Sequence, residues 1–363
     1  MLSRRQLHLA LASLALPASV ARAQERRAIV LGQSVPLTGP AAQLGLQMQL
    51  GAKAHIDAVN AAGGVGGLPI VLKTLDDGYE PARCKANTEK FIQEDVFALF
   101  GYVGTPTSMA ALPLVIQAKI PFIAPFTGAE SLRDPFNKLI FHVRASYYDE
   151  TELIVKQLTQ LDLTKIAVFH QNDAYGQAGL KGVQRALDKR GLQPAGIATV
   201  ERNSVDVAAA VKTLVPLGAE AIVQIGAYKG CAAFIREARK AGYGGQFYNV
   251  SFVGTQALAD ELGKDAAGVV ISQVMPSPFG ATVGLVHDYQ QALVKTDPKA
   301  EPNYTSMEGY MAARVVVDAL RRIGGRPTRE ALITALESLS GYEARGYRLQ
   351  FSPTRHAGSN FVE

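Results

Sequence analysis

Residues 101–108, Gly-Tyr-Val-Gly-Thr-Pro-Thr-Ser, place three hydroxyl side chains and two glycines directly after the apolar run 96–100. This change from apolar to small polar residues is typical of a turn at the end of a buried strand. Such a turn can cradle a phosphate, bind a carboxylate through hydroxyls and backbone N–H groups, or only begin a helix. The rest of the sequence has to decide among these three uses.

Three other predicted strands end in turns that combine glycine with polar or aromatic side chains. These turns are Pro125–Gly128, Gln171–Gly176 and Gly226–Tyr228. In open parallel sheets, ligands bind beyond the carboxyl ends of the strands, where loops and helix N-termini converge. Because two of the four turns fall in each half of the chain, we expect a ligand cleft between two lobes.

The common motifs of catalysis and metal binding do not occur in the sequence. A phosphate loop requires a lysine after its second glycine, and neither this motif nor a GxSxG elbow is found. The six histidines lack zinc-ligand spacing. His170 and Asp173 are the best candidates for an acid–base pair, but no nucleophile accompanies them. We therefore predict a binding protein, not an enzyme, without a cofactor or metal.

Strand-length apolar runs alternate with helical patterns along most of the chain, which favours parallel sheets covered by helices on both faces. The predicted strands are Ala28–Val35, Ile70–Leu75, Val96–Gly101, Ile120–Ala124, Lys165–His170, Ala195–Val200, Glu220–Gly226 and Gln246–Val250. Helices are expected at Ala41–Ala61 and, after an Asp206 N-cap, at Val207–Leu214. Leu139–Val143 and Gly268–Gln273 are expected to carry the chain between the lobes.

The N-terminus has the pattern of a secretory signal peptide over residues 1–23. Arg4 and Arg5 precede the apolar stretch Leu7–Leu16, and Ala21-Arg22-Ala23 forms a small-residue cleavage pattern. The start of this segment also resembles a twin-arginine signal, so both the Sec and the twin-arginine routes remain open. We expect export to the periplasm.

The composition of the predicted mature chain excludes several partners. Removing the leader takes three of the 37 basic residues and leaves all 32 acidic ones, so the net charge falls to +2. A nearly neutral chain indicates neither nucleic-acid nor membrane-surface binding. The two cysteines, Cys84 and Cys231, lie in helix-like stretches far apart, and we expect free thiols.

Short motifs follow one another along nearly the whole mature chain. They are Pro36–Gly39 with Gly45, Gly51-Ala52, Asn60–Val65, Asp76-Asp77 with Pro81, the 101–108 turn, Asp173–Gly176, Gly226–Tyr228, Val253-Gly254 and Glu308–Tyr310. In this order the chain resembles the leucine/isoleucine/valine-binding protein family, the periplasmic solute-binding proteins of ABC importers. Each motif alone is weak, and their ordered succession carries the resemblance.

The resemblance implies the type I periplasmic binding protein fold. This fold is α/β, with two doubly wound parallel-sheet lobes joined by a three-crossover hinge and a ligand cleft between them. By analogy, the N-terminal lobe takes residues 27–143 plus 276–340, and the C-terminal lobe takes 144–275 plus 341–363.

The implied function is capture of a small ligand and its delivery to an ABC permease in the membrane, with the protein acting as a monomer. Branched-chain amino acids are the family default, and hydrophobic or aromatic carboxylates and amides are the competitors. The alternative is an extracytoplasmic ligand-sensing module for a receptor on a separate chain. Enzymatic use of the cleft is the third hypothesis.

Matching the family's motifs residue by residue implies a set of ligand contacts. Thr105 stands at the hydroxyl position of a turn that grips the ligand carboxylate, although it could instead cap the helix beginning near Pro106. Thr127 and Gly128 belong to the family's second carboxylate loop, whose threonine would align with the glycine. Tyr175 and Tyr228 match two cleft tyrosines, for which a purely structural role is the alternative.

Three departures from the family affect the ligand prediction. The glutamate that pairs with the ligand ammonium is replaced by Ser251, which argues against an α-amino acid bound in the family's way, because a buried unpaired ammonium is costly. The alternative is that Glu308, on another helix, supplies this charge. A rim aromatic is replaced by Leu44. The family's first-lobe disulfide is absent, since Tyr79 and Gly104 occupy its cysteine positions.

Overall fold

Two five-stranded parallel sheets form the framework of the protein. The computed structural model describes residues 28–280 and 283–363, so the predicted signal peptide lies outside the described residues. The first sheet has the order β2-β1-β3-β4-β5, and the second has the order β10-β9-β8-β6-β7. The strands are β1 Ile29–Val35, β2 Ile70–Asp76, β3 Ala98–Phe100, β4 Phe122–Ile123, β5 Ile140–Phe141, β6 Ile166–Gln171, β7 Ile197–Val200, β8 Ala221–Ile225, β9 Gln246–Asn249 and β10 Val269–Ile271.

Helices cover both faces of each sheet, because consecutive parallel strands require right-handed crossovers that reverse direction at the first strand of each sheet. They are α1 Ala42–Ala61, α2 Pro81–Gln93, α3 Thr105–Ala118, α4 Tyr147–Gln160, α5 Ala174–Asp188, α6 Ala208–Leu214, α7 Tyr228–Lys240, α8 Thr255–Leu262, α9 Gly284–Thr296, α10 Tyr304–Arg322 and α11 Arg329–Glu337. A short antiparallel hairpin, β11 Tyr342–Glu343 and β12 Arg348–Leu349, follows α11. The predicted two-lobed α/β fold is confirmed, whereas the residue boundaries of the lobes stay a prediction.

The segments expected to carry the chain between the lobes have a second role. Leu139–Val143 contains β5 and Gly268–Gln273 contains β10, so each supplies the fifth strand of a sheet before the chain leaves it. Helix α6 begins at Ala208 with Val207 in the capping position, one residue later than predicted. Asp206 still accepts a hydrogen bond from the Ala208 N–H, at 3.3 Å.

Two glycines from the ordered motifs explain how α1 and α10 pack together. A Cβ atom on Gly51 would overlap the backbone of Ser306, and one on Gly309 would overlap the carbonyl of Met48. The two helices therefore approach each other at these glycines, and no larger residue could occupy either position without displacing a backbone. This close crossing positions Glu308, the neighbour of Gly309, inside the molecule.

The buried core is continuous from the first lobe into the second. One apolar cluster joins α1 and α10 to the second sheet, and a smaller one lies between the first sheet and helices α2 and α3. Within residues 28–280 and 283–363, no helix has the length and hydropathy needed to cross a membrane.

Candidate ligand-binding cleft

The turn that precedes α3 pairs two of the predicted site residues. Gly104 has φ of +101°, a conformation that favours glycine, and α3 begins at the next residue. The Thr105 hydroxyl lies 2.6 Å from the Thr127 hydroxyl and does not cap the helix, contrary to the capping alternative. Both threonines are completely buried. We call Thr105, Thr127 and the N-terminus of α3 the hydroxyl pole.

The hydroxyl pole has the properties of a neutral anion cradle. The first N–H groups of a helix lack partners inside the helix, and the helix dipole favours negative charge there. The Ala129 N–H donates to the Thr127 hydroxyl at 3.2 Å, which fixes its orientation. Thr107 serves the turn itself, since its hydroxyl donates to the carbonyls of Val103 and Gly104.

Gly128 lies against the start of α4. A Cβ atom on Gly128 would stand 2.7 Å from the Tyr147 nitrogen, whose N–H donates to the Gly128 carbonyl at 2.8 Å. Burial raises the pKa of Tyr147 to about 12, so its hydroxyl stays protonated. This hydroxyl is buried and has no hydrogen-bond partner within the described residues.

An aromatic cluster centred on Phe252 connects the lobes. The Phe252 ring centroid lies 4.5 Å from that of Tyr175, 5.3 Å from Phe126 and 6.0 Å from Tyr79. Tyr175 also lies 5.4 Å from Tyr147, by ring centroids. Rings at these separations bury large apolar areas and prefer tilted or edge-on contacts. The cluster forms an apolar wall beside the hydroxyl pole.

Tyr228 and Leu44 mark further contacts between the lobes. Tyr228 is the first residue of α7 and is buried, and its hydroxyl lies near the backbone of Gln43 across the cleft. Burial raises its pKa. Leu44 packs directly on Gly254, where a Cβ atom would meet its Cδ2. The replacement of the rim aromatic therefore places an aliphatic side chain in contact with the opposite lobe.

At the two positions of the family's disulfide, the ring of Tyr79 packs against Gly104. The Tyr79 ring lies against Gly104 so closely that a Cβ atom there would overlap it. Gln171, in the second lobe, donates to the Tyr79 hydroxyl at 3.4 Å. The cysteines Cys84 and Cys231 are buried and free, and burial raises the pKa of both thiols.

Ser251 belongs to a buried hydrogen-bond network around Glu150. Its backbone N–H donates to one Glu150 oxygen at 2.7 Å, and its hydroxyl donates to the other at 3.0 Å. Ser272 donates to Glu150 at 2.6 Å. The Arg144 Nη2 group donates to the Ser251 hydroxyl. The family's glutamate position therefore adjoins a carboxylate and a guanidinium that both come from this chain.

Arg144 is completely buried between two carboxylates. Its Nη2 lies 3.5 Å from Glu150 and its Nη1 lies 3.7 Å from Glu308, while its Cζ lies 4.8 Å from the Phe126 ring centroid. Burial alone would lower the pKa of Arg144, but Glu308 and Glu150 raise it, so the guanidinium stays charged. Burial raises the pKa of Glu308 to about 7, against the opposing effect of Arg144. We call Arg144, Glu150, Ser251 and Glu308 the charged pole.

The His170–Asp173 pair is not arranged for acid–base chemistry. One Asp173 oxygen accepts from the N–H of Tyr175 at 3.0 Å, capping α5, and the other accepts from Gln171 at 2.6 Å. His170 places Nδ1 2.9 Å from the Gln171 carbonyl. Asp173 acts as a helix cap, which explains the Asp-Ala-Tyr-Gly motif structurally.

The rim of the cleft is closed by polar contacts between the lobes. Arg202 lies 3.0 Å from Glu80 and 3.3 Å from Asp173. Asn203 donates to Glu80 at 2.7 Å and to the Gly78 carbonyl at 3.0 Å. These groups are partly exposed, in contrast to both poles.

The structure brings Thr105, Thr127, Gly128, Tyr175 and Ser251 to one region and places Tyr228 at a contact between the lobes. The sequence analysis did not single out Arg144, Glu150 and Tyr147, nor the ring of Tyr79. A signal was present for Arg144: it directly follows the buried segment Ile140–Val143, and arginine is rarely fully buried unless it is paired. Its partners are distant in sequence and leave no local pattern.

Solved structures and curated relatives resemble the chain over nearly its full length. A possible leucine/isoleucine/valine-binding protein from Rhodopirellula baltica is 34% identical, with 93% of each chain covered and a TM-score of 0.89. A substrate-binding periplasmic protein from Ralstonia solanacearum is 30% identical, with 92% of this chain and 96% of that one covered and a TM-score of 0.87. The Leu/Ile/Val-binding protein homolog 7 of Brucella abortus is 26% identical over 347 residues, covering 89% of this chain and 85% of its own.

The family model for periplasmic binding proteins matches residues 28–361. This family and this fold are those of substrate-binding proteins and not of enzymes, which confirms the prediction of a non-enzyme. Its members bind small molecules outside the cytoplasm. From its ordered motifs, its two parallel sheets and this match, the chain is a member of the periplasmic binding protein family with the type I fold.

Proposed function

We propose that this protein is exported to the periplasm, captures a small carboxylate between its lobes and delivers it to the permease of an ABC importer. The observation that carries this proposal is the buried hydroxyl pair of Thr105 and Thr127 at the N-terminus of α3, beside the aromatic wall. Hydroxyls and orphan amides favour a carboxylate without requiring a cation.

The aromatic wall supports a ligand with a hydrophobic or aromatic body. Phe252, Tyr175 and Phe126 offer apolar ring surface close to the hydroxyl pole. Each buried methylene of a ligand contributes about 0.8 kcal/mol when it leaves water. Branched-chain amino acids and related hydrophobic or aromatic carboxylates or amides remain the proposed ligand class, and the charged pole favours ligands without an α-ammonium group.

Closure of the two lobes is the proposed mechanism. The contacts of Tyr228 with Gln43, of Leu44 with Gly254 and of Arg202 with Glu80 hold the lobes together. A ligand bridging the lobes stabilises this closed form relative to an open one. The closed form then presents faces of both lobes to the permease.

The first experiment is a thermal melt of the mature chain, stripped of ligand by unfolding and refolding, with leucine and with 4-methylpentanoate. A ligand at 100 times its Kd adds about 2.7 kcal/mol to the free energy of unfolding. Thr105→Val is expected to weaken carboxylate binding about 10-fold to 100-fold, because a hydrogen bond to a charged group contributes about 1.5–3 kcal/mol.

Thr107→Val is the matched control, since it removes a neighbouring buried hydroxyl that bonds only to the backbone of its own turn among the described residues. Equal losses of affinity in the two variants would contradict a specific carboxylate contact at Thr105. Delivery is tested by uptake of labelled ligand in cells that lack the gene. At a ligand concentration near the wild-type Kd, uptake should return with the wild-type protein and should be clearly lower with Thr105→Val.

A further inference from the structure

The charged pole contains more unpartnered hydrogen-bond donors than acceptors. Arg144 is fully buried, and its Nε and Nη1 have no hydrogen-bond partner among the residues described. Against these stands one acceptor, the Oε1 atom of Glu308. Buried polar groups without partners are costly, so a bound ligand that completes them gains affinity.

Position connects these donors to the cleft. The Arg144 guanidinium lies over the Phe126 ring, at 4.8 Å, and 6.0 Å from the centroid of Tyr147. Phe126 directly precedes Thr127 of the hydroxyl pole, and its ring contacts Phe252 of the aromatic wall. The unpartnered donors therefore adjoin the same apolar surface as the carboxylate cradle.

An ammonium group is poorly matched to this environment. The Ser251 hydroxyl is neutral, and it already accepts from Arg144 and donates to Glu150, so it does not replace the negative charge of the family's glutamate. Glu150 accepts four hydrogen bonds or close contacts from Ser251, Ser272 and Arg144, which balance its charge. A ligand cation here would stand beside a guanidinium, and like charges in a buried site repel strongly.

Resting on the proposed function, we propose that Arg144 is the specificity-determining residue of the cleft. Its Nε–H group, together with the Nη1–H group beside Glu308, binds a second oxygen acceptor of the ligand. The ligand is therefore an acid that carries a carbonyl or a second carboxylate where an amino acid carries its ammonium.

Four compounds with the same isobutyl group test the proposal in the refolded, ligand-free protein by isothermal titration. They are 4-methylpentanoate, 4-methyl-2-oxopentanoate, isobutylmalonate and leucine. The oxo acid or the malonate is expected to bind about 10-fold to 100-fold more tightly than the plain acid, the range for a hydrogen bond to a charged donor. If the oxo acid gains more affinity over the plain acid, the acceptor is a carbonyl; if the malonate gains more, it is a second carboxylate. Leucine binding as tightly as the better of these two overturns the proposal.

The double variant, which carries both Arg144→Gln and Glu150→Gln, removes the guanidinium and one carboxylate together. The net charge buried at the charged pole therefore does not change. In this double variant, the ratio between the dissociation constants of the plain acid and of the better acceptor ligand should fall to about one. Arg329→Gln is the control, because Arg329 donates to Asp95 at 2.7 Å before the start of β3, away from the carboxyl ends of the strands, and its loss should leave that ratio unchanged. A double variant that keeps the wild-type ratio overturns the proposal.

The outcomes separate the two proposals. If the plain acid and both acceptor ligands bind equally and Thr105→Val weakens them all, the proposed function stands and the role of Arg144 is refuted. If neither these acids nor leucine binds, a branched-chain ligand and the role of Arg144 in selecting it are both refuted, and the aromatic carboxylates and amides of the proposed ligand class are titrated next. If the protein prefers acceptor ligands and both variants behave as expected, both proposals are supported.

Discussion

The two poles of the proposed cleft differ in the charge that they present. The hydroxyl pole is neutral and presents two threonine hydroxyls and the first turn of α3. The charged pole buries a guanidinium between two carboxylates, with a serine where the family has a ligand-binding glutamate. The hydroxyl pole is formed by two neighbouring turns, which contain Thr105 and Thr127. The charged pole takes its residues from four separate segments of the chain.

This difference teaches where the ligand preference of the proposed site would be set. A neutral cradle of hydroxyls and helix N–H groups can hold a carboxylate whatever the rest of the ligand carries. The charged pole has its own buried guanidinium and carboxylates, so the preference for the second polar group of a ligand would be decided there.

The largest expected effect tests how strongly the charged pole is coupled. Arg144→Gln leaves Glu150 and Glu308 without their buried cation, which should lower the free energy of unfolding by about 3–5 kcal/mol. Adding Glu150→Gln should recover at least about 1 kcal/mol of that loss, because it removes an uncompensated charge. Urea denaturation followed by circular dichroism measures both values. An equal or larger loss in the double variant would show that the pair is not coupled.

The pH dependence of Glu308 gives the next largest effect. Its pKa in the folded protein is about 7, above the ordinary value of 4.5, so only the folded state holds this proton between those pH values. Stability from this group is therefore complete below about pH 4.5 and is lost as the pH rises through 7, by up to about 3 kcal/mol.

Glu308→Gln removes this dependence, so the variant should gain stability over the wild type as the pH rises from 5 to 8. Urea denaturation at both pH values measures the change, and other titrating groups cancel in the difference between the proteins. A difference that is the same at pH 5 and pH 8 would contradict the assignment to Glu308.

The hydroxyl pole should show smaller, short-range coupling. Thr105→Val and Thr127→Val each leave one buried hydroxyl without its partner, which should cost about 1–3 kcal/mol of stability. The double variant should lose less than the sum of the two, by about 1 kcal/mol, since both hydroxyls are then gone. Thermal and urea melts of the four proteins complete this cycle. Strict additivity would argue against the 2.6 Å hydrogen bond between the threonines.

The partly exposed rim should contribute least. Glu80→Gln weakens the contacts with Arg202 and Asn203, and exposed pairs of this kind contribute about 0–1 kcal/mol. The dissociation rate of the ligand, measured by stopped-flow fluorescence, should rise less than about fivefold. The effect should shrink further at high salt, because ions screen exposed charges. If Glu80→Gln lowered the free energy of unfolding as much as Arg144→Gln does, the rim would contribute most to holding the lobes together.

Local patterns were sufficient to predict much of the fold and one pole. Thr105 and Thr127 follow apolar strands, so their turns could be located from the change in residue type alone. Tyr175 follows Asp173, whose carboxylate caps α5 in the structure, and this short-range signal is visible in the sequence. Leu139–Val143 and Gly268–Gln273 were predicted only as connections, because two-residue and three-residue edge strands carry too few side chains to show a period.

The sequence by itself determined the alternation of strands and helices, the order of the motifs and the loss of the family's glutamate at Ser251. These features depend on residues that are neighbours along the chain. Only the tertiary structure decided that Arg144, Glu150 and Glu308 meet, because they lie on a crossover segment and on two helices whose facing sides depend on packing. The close glycine crossing of α1 and α10 directs Glu308 inward, and burial there changes the chemistry of its carboxyl group.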